Sequence, residues 1–188
     1  MRYLILTLLT ICVVSLNAQT VDSIAIKQVD SLIKVSRDLT SKRDFDKALE
    51  VNAVAEKIAL EKLGPESAAY GSCASNRGKV NYVKRDYPEA EKWYLNSKAI
   101  REKVLGKKHP EYAKSLTDLA ILYKNMGKYE KAEPLYFEAK TIQEKVLGKE
   151  HPDYARCLID LAILYKNMRR YEKAEPLYFE AKTIQEKV

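Results

Sequence analysis

With 188 residues, 46% of them hydrophobic and 31% charged, the chain is long enough to bury a core and too apolar to remain disordered. Its formal charge of +7 arises from 33 basic and 26 acidic side chains that are interleaved rather than clustered, which reads as a solvated helical surface and argues against a nucleic-acid partner. Two histidines and three cysteines leave little material for a metal centre.

Taken in chain order, Met1-Arg2 is a short positive start and Tyr3 to Val14 is almost wholly apolar. Ser15-Leu16-Asn17-Ala18 then ends in a small residue before polar sequence begins. Residues 1–18 read as a signal peptide cleaved near Ala18, which predicts an exported chain, periplasmic or secreted. A membrane anchor left uncleaved is the alternative. Against it, the apolar run is shorter than the roughly 20 residues that span a bilayer.

Leu63-Gly64, Leu105-Gly106 and Leu147-Gly148 recur at 42-residue intervals and divide 19–188 into units of about 21–62, 63–104, 105–146 and 147–188. The last two units are identical at 35 of 42 positions. Near-copies of one supersecondary unit bury their apolar faces against their neighbours, whereas catalysis needs one-off residues in asymmetric places. The repeat therefore points to binding rather than chemistry.

In the first unit, Leu32, Val35, Ser36 and Leu39 follow i, i+3, i+4, i+7 spacing and predict the buried stripe of its first helix. The second unit departs from this pattern, with Arg77 and Asn81 where the stripe requires apolar residues. Burying such groups unpaired costs kcal/mol, so this helix is expected to be rotated, partly exposed or paired. In the third unit, Tyr112, Leu116, Leu119, Ala120 and Tyr123 mark a first helix that Asn125-Met126-Gly127 stops. A second helix runs from about Tyr129 to Val146, with Ala132, Leu135, Tyr136, Ala139 and Ile142 on its buried face. The fourth unit repeats the third. Gly127 has Arg43, Arg85 and Arg169 as its counterparts, so a left-handed helix cap is not expected in every unit. Pro134 and Pro176 fall in the first turns of their helices, where proline is tolerated.

Leu119-Ala120, Tyr123, Gly127, Tyr129, Ala132, Tyr136 and Ala139 match the tetratricopeptide pattern. The 42-residue period, with Leu-Gly-Lys-Lys-His-Pro linkers, resembles the kinesin light chain type of that repeat and bacterial exported arrays of it. The resemblance implies an all-α fold, a right-handed superhelical solenoid of helix-turn-helix repeats whose concave surface is lined by first helices. Carried onto this chain, those concave positions are Lys114, Thr117, Asp118, Ile121, Lys124 and Asn125 in the third unit. In the fourth they are Arg156, Ile159, Asp160, Ile163, Lys166 and Asn167. Asn and Lys side chains can clamp the backbone or carboxylates of an extended peptide. Repeats of the kinesin light chain type often carry paired Asn where this chain has Thr117-Asp118 and Ile159-Asp160, so that family's peptide preference does not carry over.

The expected function is that of a non-catalytic, exported scaffold that holds a protein or peptide in its groove, with no cofactor and no metal. His109 and His151 recur in His-Pro linkers as a linker feature, and no serine-nucleophile elbow, phosphate-binding glycine loop or zincin motif is present. Cys73 and Cys157 share a repeat position two units apart, too distant for a disulfide. An alternative follows from the resemblance: a docking or sensing portion of a larger protein with a caspase-like protease or sensor kinase effector. The last repeat lacks a polar cap, which predicts that Leu177, Tyr178, Ala181 and Ile184 lie open. Either further repeats would cover them or the chain would self-associate through this end.

Overall fold

The computed structural model describes the backbone of residues 2–187 and the side chains of residues 22–187. The expected signal segment, 1–18, lies outside the residues whose side chains are described. Among the described residues no helix is long and apolar enough to cross a membrane. The helices are α1 Arg2–Ser41, α2 Phe45–Leu63, α3 Ala68–Lys84, α4 Tyr87–Leu105, α5 Pro110–Asn125, α6 Tyr129–Leu147, α7 Pro152–Asn167 and α8 Tyr171–Gln185. Each odd-numbered helix packs on the even-numbered one that follows it, and the hairpins stack through α2 with α3, α4 with α5 and α6 with α7. The odd-numbered helices also touch in series, α1 to α3 to α5 to α7. The result is an all-α repeat solenoid.

Local chemistry sets the helix boundaries. The Nδ1 atoms of His109 and His151 accept the amide N–H of Glu111 and Asp153 at 3.1 Å, and Pro110 and Pro152 follow as first helical residues that need no donor. The His-Pro linker is thus a helix start. At the other end, Gly64, Gly106 and Gly148 hold φ of 85, 81 and 87° with ψ of 165, 161 and 162°, a region open in practice only to glycine. This is the physical reason for the recurring Leu-Gly pair.

The turn inside each hairpin corrects an expectation. Arg43, Arg85, Gly127 and Arg169 are all left-handed, with φ of 63, 69, 73 and 58°, so the cap recurs in every unit although three carry arginine there. The following amide closes the motif by donating to the carbonyl five residues back: Asp44 to Leu39, Asp86 to Asn81, Lys128 to Tyr123 and Arg170 to Tyr165, at 2.9 to 3.0 Å. These bonds satisfy carbonyls that the helix end would otherwise leave unpaired, which offsets the strain of a left-handed arginine.

The core follows the predicted first-helix stripes in the third and fourth units; Tyr112, Leu116, Leu119, Ala120, Tyr123, Ala132, Tyr136 and Ala139 are buried, while Leu135 and Ile142, expected on the buried face of α6, are half-buried. The first unit differs. Val35 is 44% exposed, and the buried stripe of α1 runs instead through Val29, Ile33, Ser36 and Thr40. Leu119 and Leu161, the counterparts of Val35, sit in a core shared between adjacent hairpins, and no hairpin of the described residues precedes α1. In the second unit the polar positions are paired. Arg77 binds Glu56 at 2.9 Å with its guanidinium 4.3 Å above the Trp93 ring, and the Asn81 amide donates to the Arg77 carbonyl at 3.0 Å. In the last unit Ala181 and Ile184 prove buried against Tyr154, Ala155 and Leu158 of α7, contrary to the expectation that they lie open. Leu177 is half-buried against the same core, while Tyr178 is 36% exposed as expected and Phe179 beside it 73% exposed.

Candidate binding groove

The odd-numbered helices line one continuous face, and two adjoining cavities lie along it. The larger, of about 540 Å³, takes Arg37 from α1, Asn76 and Lys79 from α3, Lys114 and Asp118 from α5, and Arg156 from α7. Arg43 adds a further cation from the first hairpin turn. The second cavity, of about 310 Å³, shares Lys79, Lys114, Asp118 and Arg156 and extends to Thr117, Ile121, Gln143 and Asp160. Five cations therefore line the first cavity beside one carboxylate.

Hydrogen bonds between neighbouring helices fix the floor of this face. The Asn76 amide nitrogen donates to Ser36 Oγ and Asn52 Oδ1, both at 2.9 Å, while its oxygen accepts from Arg37 Nε at 3.2 Å. Ser75 Oγ donates to Asp118 Oδ2 at 3.0 Å, which ties α3 to α5. Burial pushes the Asp118 carboxyl above the ordinary aspartate range, against the opposing pull of the Ser75 hydroxyl and the Arg101 and Lys114 charges. Burial raises Asp160 likewise, with Lys124 and Arg156 opposing. Both effects oppose negative charge at these two positions, while Glu111 and Asp153 bring two further carboxylates to the second cavity. Gln143 Oε1 is buried without a hydrogen-bond partner among the described residues, leaving an acceptor on the wall of the second cavity.

Of the positions drawn from the sequence, Lys114, Thr117, Asp118, Ile121, Arg156 and Asp160 meet in these cavities. Ile159 lines a separate cavity of about 400 Å³ with Arg156, Ile184 and Gln185. Lys124 is half-buried, and its ammonium is held below the ordinary lysine range by burial while Asp160 draws it upward. The Asn125 amide donates to the Tyr82 hydroxyl. Lys166 and Asn167 are exposed and Ile163 is half-buried, and none of Lys124, Asn125, Ile163, Lys166 and Asn167 lines either groove cavity.

Sequence reasoning missed Arg37, Arg43, Ser75, Asn76 and Lys79, although a signal existed. Arg37, Lys79, Ile121 and Ile163 stand 42 residues apart at one repeat position, so that position runs from cationic in the first two units to aliphatic in the last two. Among the described residues no His, Cys, Asp and Glu converge as a metal site. Cys73 and Cys157 are free and buried, and burial, with nearby carboxylates adding to it, pushes each thiol up to about 12, which disfavours the thiolate.

The tetratricopeptide repeat model matches residues 72–139 and 122–187. Among solved structures, BtubC (BKLC) from P. vanneervenii superposes with a TM-score of 0.73 at 23% identity, over 84% of this chain and 63% of that one. A kinesin-light-chain-like protein of Podosopora anserina with nearly identical TPR-like repeats superposes with a TM-score of 0.66 at 21% identity, over 90% of this chain and 86% of that one. A Rap protein complexed with Competence and Sporulation Factor gives a TM-score of 0.53 at 21% identity, over 85% of this chain and 52% of that one. The chain thus spans less than two thirds of BtubC and about half of the Rap protein. At these identities the likeness is one of fold. No curated protein sequence matches the chain. Period, hairpin geometry and repeat match agree, and the chain belongs to the tetratricopeptide repeat family.

Proposed function

We propose that this protein is a scaffold without chemistry of its own, which holds an extended, carboxylate-rich segment of a partner along the face of α1, α3, α5 and α7. The observation that carries the reading is the convergence of Arg37, Arg43, Lys79, Lys114 and Arg156 on one cavity whose single carboxylate, Asp118, is half-buried and tied to Ser75. Cations on fixed helices attract a polyanionic segment and set its register, which favours association rate and specificity. The partner's backbone N–H groups would find the unpaired Gln143 acceptor, and its apolar residues would meet Ile121 further along. A Rap protein of the same fold is complexed with Competence and Sporulation Factor, which supports a protein or peptide partner in general terms. Export after cleavage near Ala18 belongs to the proposal and rests on residues 1–18 alone. So does self-association through the open face of α8.

The test is fluorescence anisotropy with a labelled peptide of about eight residues, long enough to span roughly 26 Å when extended, rich in Glu and ending in Leu. Binding should weaken with salt, and a triple variant Lys79→Glu, Lys114→Glu, Arg156→Glu should lose at least roughly tenfold in affinity with its helical content unchanged. Equal binding of a Lys-for-Glu peptide, or unchanged binding by the variant, would overturn the reading.

A further inference from the structure

The three joints between stacked hairpins are closed differently at one repeat position, occupied by Ala59 on α2, Arg101 on α4 and Gln143 on α6, 42 residues apart. The α2–α3 joint closes by apolar contact, with Ala59 packed in one cluster with Ala69 and Cys73. The α4–α5 joint closes on a guanidinium. Arg101, 2% exposed, donates to Ser115 Oγ at 2.9 Å, to the Glu111 carbonyl at 3.3 Å and to Ser72 Oγ at 3.4 Å, and pairs with the Glu111 carboxylate at 2.7 Å. Burial pulls this guanidinium below the ordinary arginine range, while Glu111 and Asp118 hold its charge and Arg37 opposes it.

The α6–α7 joint has neither closure. A glutamine ends where the guanidinium of an arginine begins, and the second groove cavity, of about 310 Å³, lies against Gln143. Its walls include Lys114, Asp153, Cys157, Asp160 and Lys79, which are the counterparts one repeat on of Ser72, Glu111, Ser115, Asp118 and Arg37. Each of the groups that surround the Arg101 guanidinium thus has its equivalent around this cavity, and the guanidinium has none. Gln143, 8% exposed, leaves its Oε1 with no hydrogen-bond partner among the described residues. Lys114, in the place of Ser72, pairs instead with Glu111 at 3.8 Å.

We propose that the second cavity takes the guanidinium of an arginine supplied by the partner segment, seated at Gln143 and Asp153 as Arg101 is seated in the joint before. The proposal rests on the reading of the groove as a site for an acidic segment, and it narrows the donor that Gln143 accepts to an arginine side chain. A guanidinium offers a planar, fixed fork of N–H donors that can serve the Gln143 oxygen and the Asp153 carboxylate together, whereas a lysine ammonium is a compact, strongly hydrated point charge. Lys79, Lys114 and Arg156 line this cavity as well as the first, so the arginine enters flanked by carboxylates that those cations hold. An otherwise acidic segment provides them.

Fluorescence anisotropy tests this with the Glu-rich parent peptide of about eight residues and a set in which one arginine replaces each Glu in turn. At one position arginine should tighten binding at least roughly tenfold over the parent, and lysine at the same place should recover little of that gain. Gln143→Arg, which lets the chain fill the cavity itself, should bring the arginine peptide and the parent to within about twofold of each other in affinity. Asp153→Ala, at an exposed position, should independently remove most of the gain. Helical circular dichroism and the thermal midpoint establish that each variant folds, and if Gln143→Arg does not, Asp153→Ala decides. If no arginine position gains while the parent binds, the arginine site falls and the groove reading stands. A lysine that gains as much as arginine, or a gain that survives in either folded variant, also overturns it. If no peptide binds, both readings fall.

Discussion

Gly106 holds φ at 81° and ψ at 161°, and no atom lies within 4 Å of the point where a Cβ would stand. The cost of Gly106→Ala is therefore conformational alone, about 1 to 3 kcal/mol, and should appear as a lowered urea midpoint. Tyr165 and Lys166 offer a sharper contrast between neighbours. Tyr165 is buried with its hydroxyl on Glu133, so Tyr165→Ala should cost about 3 to 5 kcal/mol, whereas Lys166, exposed beside it, should change stability by less than about 0.5 kcal/mol when replaced by Ala. Equal losses would mean that the helix is rotated from the phase described. Both the phase and the need for glycine were legible in the sequence, because they follow from spacing along one helix and from a residue kept at the same point of three units. The left-handed arginines were not, since arginine there is tolerated only because the chain reversal and its closing hydrogen bonds impose it.

The unit of construction is the hairpin, and each has its own terminators. α5 and α7 begin on a histidine whose Nδ1 must be free of a proton to accept the Glu111 or Asp153 amide. His151→Ala should destabilise by about 1 kcal/mol, and His151→Asn, which restores a short acceptor, should recover most of that loss in the same denaturation assay. If both variants fell equally, the imidazole would be acting through packing instead. The first two hairpins solve the packing problem differently from the last two. They place Ser36, Asn52 and Asn76 in a buried hydrogen-bonded set and pair Arg77 with Glu56 and Trp93, where the third hairpin has Ala120, Tyr136 and Leu119 in place of Ser36, Asn52 and Arg77. Fully partnered, such a set is sound, and loss of any one member strands the others.

Stacked hairpins contact only their neighbours, so stability adds along the array and the ends should open first. The core that joins Tyr94, Leu119, Tyr123, Tyr136, Leu161 and Tyr165 spans α4 to α8, with Ala174 as the one buried contribution of α8. Amide hydrogen exchange should accordingly be slowest in α5 and α6 and faster in α8, whose outer face is open. Uniform protection along all helices would show that the array unfolds as a single unit. The same linear construction explains the groove, because only stacking brings Arg37, Lys79, Lys114 and Arg156, from four different helices, to one cavity.

By itself the sequence determined the period and the buried stripes of the first helices in the third and fourth units, since helical phase acts over a few residues and the repeats state it twice. Tertiary structure decided the rest. Val35 lies open because nothing of the described residues precedes α1, while Ala181 and Ile184 are covered because α7 reaches them. Asp118 joins Ser75 across two helices, and the cations of the first two units reach the cavity of the third. Each of these outcomes depends on which neighbour a face meets and how closely, and that is settled by the stacking of hairpins rather than by any spacing within one of them.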